Sequence, residues 1–248
     1  MLAIIGGSGL TQLAILEIER RQVVRTPFGE PSGPLIFGRI GGRQVVFLAR
    51  HGYGHTIPPH LVNYRANLWA LKHGAGALHV ISVASVGGIR SDLGPGTLVV
   101  PDQIIDYTWG RAATFFEGGD SGVTHIDFTQ PYDPTIRHEL LEAARSGGHA
   151  IVDGAVYAAT QGPRLETAAE IDRLEGDGAH VVGMTGMPEA ALAREQDLPY
   201  GALCVVANWA AGRQSSARAI SFSQVEETLQ AAMGRVRDVL GRFCEDGC

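Results

Sequence analysis

The sequence predicts one α/β domain over residues 1–248, built on a central mixed, largely parallel twisted β-sheet flanked by helices. Three observations predict it. Short apolar runs rich in β-branched residues alternate with longer helical patterns along the whole chain. Several of those runs are apolar on consecutive positions, as strands covered on both faces require. No repeat, low-complexity tract or linker divides the 248 residues, a length that supports a full core.

The predicted strands are Leu2–Ile5, Gln44–Leu48, Val80–Ala84, Thr97–Val100, Ala155–Thr160, Val181–Met184 and Ala202–Ala207. Helical patterns lie between them, near 62–73, 135–146, 166–175 and 188–196. The last helix is the clearest, because Val225, Leu229, Met233, Val236, Leu240 and Phe243 recur at three- and four-residue steps. Ser223 and Glu226 have the spacing of a capping box at its start. The stretch 108–133 is the least regular, with Trp109, Phe115, Phe116, His125 and Phe128 among glycines, and reads as a long functional loop.

Composition narrows the function. A hydrophobic content of 45% excludes a wholly disordered chain. No apolar run approaches the roughly 18 residues of a membrane span. The opening MLAIIGGSGL has neither a basic region nor a cleavage site, so a cytoplasmic protein is expected. The net charge of −6, with basic residues scattered, argues against a nucleic-acid partner. Three cysteines, Cys204, Cys244 and Cys248, do not form a disulfide framework.

Chemistry-bearing residues gather at the predicted strand ends. Gly6-Gly7-Ser8-Gly9 follows the first strand, where bare backbone and a hydroxyl can hold an anion. A dinucleotide fingerprint is disfavoured, since the third glycine and the later acidic residue are missing. A plain tight turn remains equally open for this motif alone. Arg50-His51-Gly-Tyr-Gly-His55-Thr-Ile-Pro-Pro-His60 follows the second run. Gly52, Gly54, Pro58 and Pro59 forbid the helix that a paired-histidine zinc site needs, so no metal is expected. A guanidinium fork and a ring N–H suit a phosphate instead. Ser85 with Gly87-Gly88, Thr185 with Gly186, and Asn208 end three further runs. Ligands of open α/β sheets collect at such edges.

These segments resemble a known family. GGSGL, TPFGEPSGPL from Thr26, ARHGYGHTIPPHLVNYRANLWAL from Ala49 and VVGMTGMPEA from Val181 are similar to the methylthioadenosine phosphorylases. Those belong to the trimeric branch of the purine nucleoside phosphorylase superfamily, and the resemblance runs from residue 3 to about residue 243. It implies that inorganic phosphate attacks an anomeric carbon, a purine departs and a ribose 1-phosphate forms. Phosphate is then a co-substrate, and no cofactor or metal is implied. Ser8, Arg50, His51, Ser85 and Thr185 match the family's phosphate ligands. Ala84 stands where the family has threonine, so a backbone contact is implied there. Met184 matches a methionine on the ribose face, and His125 lies in a loop that reaches a neighbouring subunit's site. The implied assembly is a homotrimer, with a dimer of trimers left open.

Two departures from the family pattern concern the base. Methylthioadenosine phosphorylases have two aspartates, one residue apart, where this chain has Asn208-Trp209-Ala210. An asparagine both donates and accepts, so its NH₂ can meet a 6-oxo oxygen while its C=O takes an N7 proton, which makes Asn208 the implied catalytic residue. Glu166, in Gly162-Pro163-Arg164-Leu165-Glu166-Thr167, replaces a serine and can accept the N1–H of hypoxanthine. At the sugar end, enzymes for ordinary nucleosides place a histidine, but none follows His180 here. Phe222 and Val225 take the places of small apolar residues around the 5′ group. The expected substrate is S-methyl-5′-thioinosine. The rival expectations are methylthioadenosine phosphorolysis, inosine/guanosine phosphorolysis, and a catalytically silent purine-binding protein.

Overall fold

A computed structural model describes residues 1–10, 12–119 and 122–246. Its strands are β1 (Leu2–Gly6), β2 (Glu17–Gln22), β3 (Leu35–Ile40), β4 (Arg43–Ala49), β5 (His79–Gly88), β6 (Leu98–Val100), β7 (Gln103–Asp106), β8 (Ile151–Asp153), β9 (Val156–Ala159), β10 (Val181–Gly183) and β11 (Tyr200–Trp209). Its helices are α1 (Tyr64–Trp69), α2 (Pro134–Ser146), α3 (Ala168–Gly176), α4 (Gly186–Glu195) and α5 (Phe222–Asp246). The expected α/β class is observed, with parallel and antiparallel ladders in one 11-stranded sheet. β1 pairs in parallel with β4 and β5, and β5 with β11, while β2, β3 and β4 are joined antiparallel.

Seven strands fall on the predicted runs, and β2, β3, β7 and β8 are additional. β2 reads EIERRQ and lies on the sheet edge with nearly every residue exposed, so it lacks the apolar signal of a buried strand. β8 and β9 are separated at Gly154, whose φ of 85° favours glycine. The helix expected over 62–73 divides into α1, capped by Asn63 Oδ1 accepting from Ala66 N at 3.0 Å, and a wider turn over Ala70–Gly74. α5 starts at Phe222, ahead of the expected capping box at Ser223. Ser221 holds the cap instead, with its Oγ accepting from Gln224 N at 3.4 Å and its carbonyl from Val225 N at 3.1 Å. Ser221 and Gln224 repeat the same spacing two residues earlier, which is why Ser223 falls inside the first turn.

Leu229, Met233, Val236, Leu240 and Phe243 of α5 are buried against one face of the sheet, alongside α2. α1 and α4 pack against the opposite face. The stretch 108–133 contains neither strand nor α-helix among its described residues. It is tied down where Thr114 Oγ1 and Phe115 N donate to the Glu195 carboxylate at 2.6 and 2.7 Å. Cys204 and Cys244 are buried free thiols, and Cys248 lies outside the described residues. No helix among the described residues is long and apolar enough to cross a membrane.

The central feature for function is a fork in the sheet. β11 accompanies β5 along nearly its whole length. On the other side, β1 pairs with β5 only as far as Ser82, and β10 takes over at Gly87. Residues 83–86 of β5 therefore have no strand on that side, and the sheet opens there.

Candidate active site

A cleft of about 540 Å³ occupies this opening. Gly7 and Ser8 enter it from the end of β1, Arg50 and His51 from the end of β4, Met184 and Thr185 from the end of β10. Ala84 lies inside β5 as expected, and Ser85 and Asn208 also lie inside β5 and β11, because both strands run further than the sequence indicated. A register shift in β11 between Val206 and Asn208 turns the strand at the site. Glu166, Ala210, Phe222 and Val225 complete the sequence-derived set in this cleft. His125 is exposed and outside it.

The glycine-rich turn is required by close approach. A Cβ on Gly7 would lie 2.6 Å from the Val83 carbonyl oxygen and 2.9 Å from Arg50 Nη1. Ser8 and Ser85 have no hydrogen-bond partner for their hydroxyls among the described residues, which leaves both for a ligand.

Arg50 differs from its expected role as a two-pronged anion fork. Its Nε and Nη2 donate to Glu189 Oε2 and Oε1 at 2.7 and 3.0 Å, and Nη2 also reaches Ser82 Oγ at 2.5 Å. Nη1 donates to the Val83 carbonyl at 3.2 Å and is the nitrogen beside Gly7. The fork thus faces a buried carboxylate, and only the Nη1 edge meets the cleft. Burial opposes the charge on Arg50, but Glu189 outweighs that and keeps its pKa above the ordinary value. Tyr200 and Ser82 each donate to Glu189 Oε1 at 2.8 Å, and burial with the Glu189 charge keeps the Tyr200 hydroxyl protonated.

His51 also differs from expectation. Its Nδ1 lies 2.8 Å from the Ile57 carbonyl, which can only accept, so Nδ1 carries the proton. Burial first, and then the charge on Arg50, push its pKa down to about 4. The neutral ring keeps its Nε2 lone pair unprotonated, and the expected ring N–H is already used. The His55 ring lies 4.5 Å away, in a residue whose φ of 57° is rare outside glycine.

On the base side, Thr160 Oγ1 donates to Glu166 Oε1 at 2.7 Å. Asn208 Nδ2 donates to the Trp209 carbonyl at 2.6 Å, leaving Oδ1 and one N–H. Ala210 is buried beside Gly87. Phe222 is 73% exposed at the rim, so it can fold over a ligand rather than serve the core, whereas Val225 is half-buried.

The model of the Phosphorylase superfamily matches residues 1–245. The chain belongs to the phosphorylase superfamily. A probable S-methyl-5′-thioinosine phosphorylase of Xanthomonas campestris pv. campestris is 51% identical over 242 residues, covering 98% of this chain and 96% of the relative. Another of Pseudomonas syringae pv. tomato is 52% identical, covering 97% of this chain and 96% of the relative. A solved methylthioadenosine phosphorylase of Schistosoma mansoni, in complex with adenine, superposes with a TM-score of 0.93 at 33% identity, covering 98% of this chain and 90% of the other.

Within this phosphorylase-superfamily chain, several residues in the cleft or supporting it escaped sequence reasoning. Glu189 carried a usable signal, because an acidic residue between Met187-Pro188 and Ala190-Ala191-Leu192 must find a partner if buried. Ile220 lines the cleft without a distinctive motif, and His55, weighed in the sequence only for a disfavoured zinc spacing, lines it too. Arg111 carried no signal. Its guanidinium donates to the carbonyls of Gln161, Met184 and Met187 at 2.9, 2.8 and 2.6 Å, fastening the root of the long loop to the turns around the cleft.

Proposed function

We propose that the chain catalyses phosphorolysis of S-methyl-5′-thioinosine, releasing hypoxanthine and S-methyl-5-thio-α-D-ribose 1-phosphate. The observation that carries this reading is the shared cleft: Glu166 and Asn208 line it together with apolar Ile220, Phe222 and Val225. Glu166 accepts N1–H from a 6-oxopurine, and Asn208 donates its remaining N–H to O6, while Oδ1 accepts from N7–H once the departing base is protonated there. An adenine would set a bare N1 lone pair against Glu166. The apolar side chains suit a methylthio group and leave a 5′-hydroxyl without a partner.

Phosphate is held by the Ser8, Ser85 and Thr185 hydroxyls, the backbone around Gly7 and Ala84, and the Arg50 Nη1 edge. The neutral His51 ring accepts a hydrogen bond from a phosphate P–O–H at Nε2, and the proton stays on the phosphate. A phosphate oxygen forms the bond to the anomeric carbon as the glycosidic C–N bond breaks. The electron pair passes to the purine, the Asn208 N–H at O6 meets the developing negative charge, and a proton taken up from water at N7 completes hypoxanthine. Met184 packs on the ribose. Positioning and fixed dipoles supply the acceleration, with no cofactor or metal.

His125, exposed in its own chain, completes the site of an adjoining subunit in a cytoplasmic homotrimer, which pairs further only if a second interface exists. Sedimentation at assay concentration tests this, and an active monomer would refute it. The substrate is tested by purine release from methylthioinosine, methylthioadenosine and inosine, each with and without phosphate. Methylthioinosine is expected to lead in kcat/KM by about 10²-fold or more. The fold likeness to a methylthioadenosine phosphorylase favours the adenine-releasing alternative, and equal or better cleavage of methylthioadenosine would establish it.

A further inference from the structure

Thr160 directly follows β9, and its backbone is fixed by the neighbouring strand. Its N–H donates to the Gly183 carbonyl at 2.8 Å, extending the β9–β10 ladder by one residue. Its carbonyl accepts from Arg111 Nη2 at 3.2 Å. A β-branched side chain on such a backbone has few rotamers. The hydroxyl has one proton and two acceptors within range, Glu166 Oε1 at 2.7 Å and the Gly183 carbonyl at 3.3 Å. The carboxylate is closer and charged, and the carbonyl is already served by the Thr160 N–H, so the proton goes to Glu166.

Glu166 has no other hydrogen-bond partner among the described residues. The nearest cation in sequence, Arg164, is committed to Glu170 through two contacts of 2.7 Å. A glutamate has three rotatable side-chain torsions, so an unheld Glu166 would spread its carboxylate over many positions. With Oε1 engaged by Thr160, Oε2 is the oxygen left for a ligand.

We propose that Thr160 is the positioning residue that selects the base, holding Glu166 so that one carboxylate oxygen meets N1–H of a 6-oxopurine and opposes the N1 lone pair of a 6-aminopurine. The role rests on the base reading given under the proposed function. Thr160 itself touches no substrate. It acts through Glu166, and a threonine is suited to this because its hydroxyl donates without adding a charge that would compete for the base.

The test compares Thr160→Val, which keeps the shape and removes the donor, with Thr160→Ser, which keeps the donor. Both are made alone and in a Glu166→Ser background, with Thr160→Ala as the same deletion should Thr160→Val not fold. The readouts are kcat/KM for methylthioinosine and methylthioadenosine, and the KM for phosphate. Thr160→Val is expected to lower kcat/KM for methylthioinosine about tenfold and to narrow its margin over methylthioadenosine, as loss of one charge-assisted hydrogen bond should. The phosphate KM stays unchanged, Thr160→Ser restores activity to within about threefold, and Thr160→Val adds nothing in the Glu166→Ser background. An unchanged margin in Thr160→Val, an equally impaired Thr160→Ser, or a full effect persisting without Glu166 would overturn the proposal. If Glu166→Ser alone leaves the margin unchanged, the base reading falls and the proposal with it. If Glu166→Ser shifts the margin and Thr160→Val does not, the proposal falls alone.

Discussion

Replacing Glu189 by glutamine removes one charge from a pair in which Arg50 is 1% exposed and Glu189 0%. The carboxylate receives four donors: Arg50 Nε at 2.7 Å, Arg50 Nη2 at 3.0 Å, and Ser82 and Tyr200 at 2.8 Å each. A glutamine has one carbonyl oxygen, so its NH₂ must face either Arg50 Nε or the group of donors at Oε1. Donor then meets donor, and the guanidinium stays buried without a counter-ion. Losing one partner of a buried pair costs about 3–5 kcal/mol. In a chain of this size each kcal/mol lowers Tm by roughly 2–4 °C, so Glu189→Gln is expected to melt about 6–20 °C lower. Equilibrium denaturation measures the free energy directly, with Arg50→Met and the double variant closing a cycle. The double variant should lose at least about 2 kcal/mol less than the two single losses combined, because neither charge is then stranded. A Glu189→Gln protein within about 1 kcal/mol of wild type, or fully additive losses, would refute the reasoning.

Arg50→Ala should raise the KM for phosphate at least about tenfold and also lower kcat, because in the proposed function Nη1 both holds and aims the anion. Steady-state kinetics checks this, and equal purine release with and without phosphate would point to hydrolysis instead. Asn208→Asp should recover part of the activity on methylthioadenosine, and Glu166→Ser should raise it further with non-additive effects, since both are proposed to read one base. Side-by-side kcat/KM values test this, with Ala210→Asp as a third step where recovery stays incomplete. His51 has its pKa lowered from 6.5 to about 4 by burial and by Arg50, so between those values the unfolded chain binds a proton that the folded chain does not. This contribution is fully present above the unfolded value and is lost as pH falls through the window, by about 2 kcal/mol between pH 7 and pH 5. Denaturation at both pH values should show a shallower dependence in His51→Gln, and an identical dependence would refute the assignment.

The sequence by itself determined what depends on neighbours along the chain. Consecutive apolar residues marked β1, β4, β5 and β11 because strands covered on both faces need no alternation. The three- and four-residue steps from Val225 to Phe243 marked α5 because a helix repeats its buried face at that period. Glycines and hydroxyls at run ends marked the rim of the cleft, and the chemistry of Glu166 and Asn208 is legible from residue type alone. The exposed edge strand β2 was not legible, since a strand that buries little carries little apolar signal. The tertiary structure alone decided where polar side chains spend their hydrogen bonds. Arg50 turns its fork to Glu189 across 139 positions of chain, and His51 gives its one proton to Ile57. Thr160 became visible only through its contact with Glu166, and the cleft only through the exchange of β1 for β10 beside β5. A side chain's type fixes what it can donate or accept. Which partner it meets in a buried site is set by strand register and packing between distant segments, where most buried polar groups must be satisfied at once.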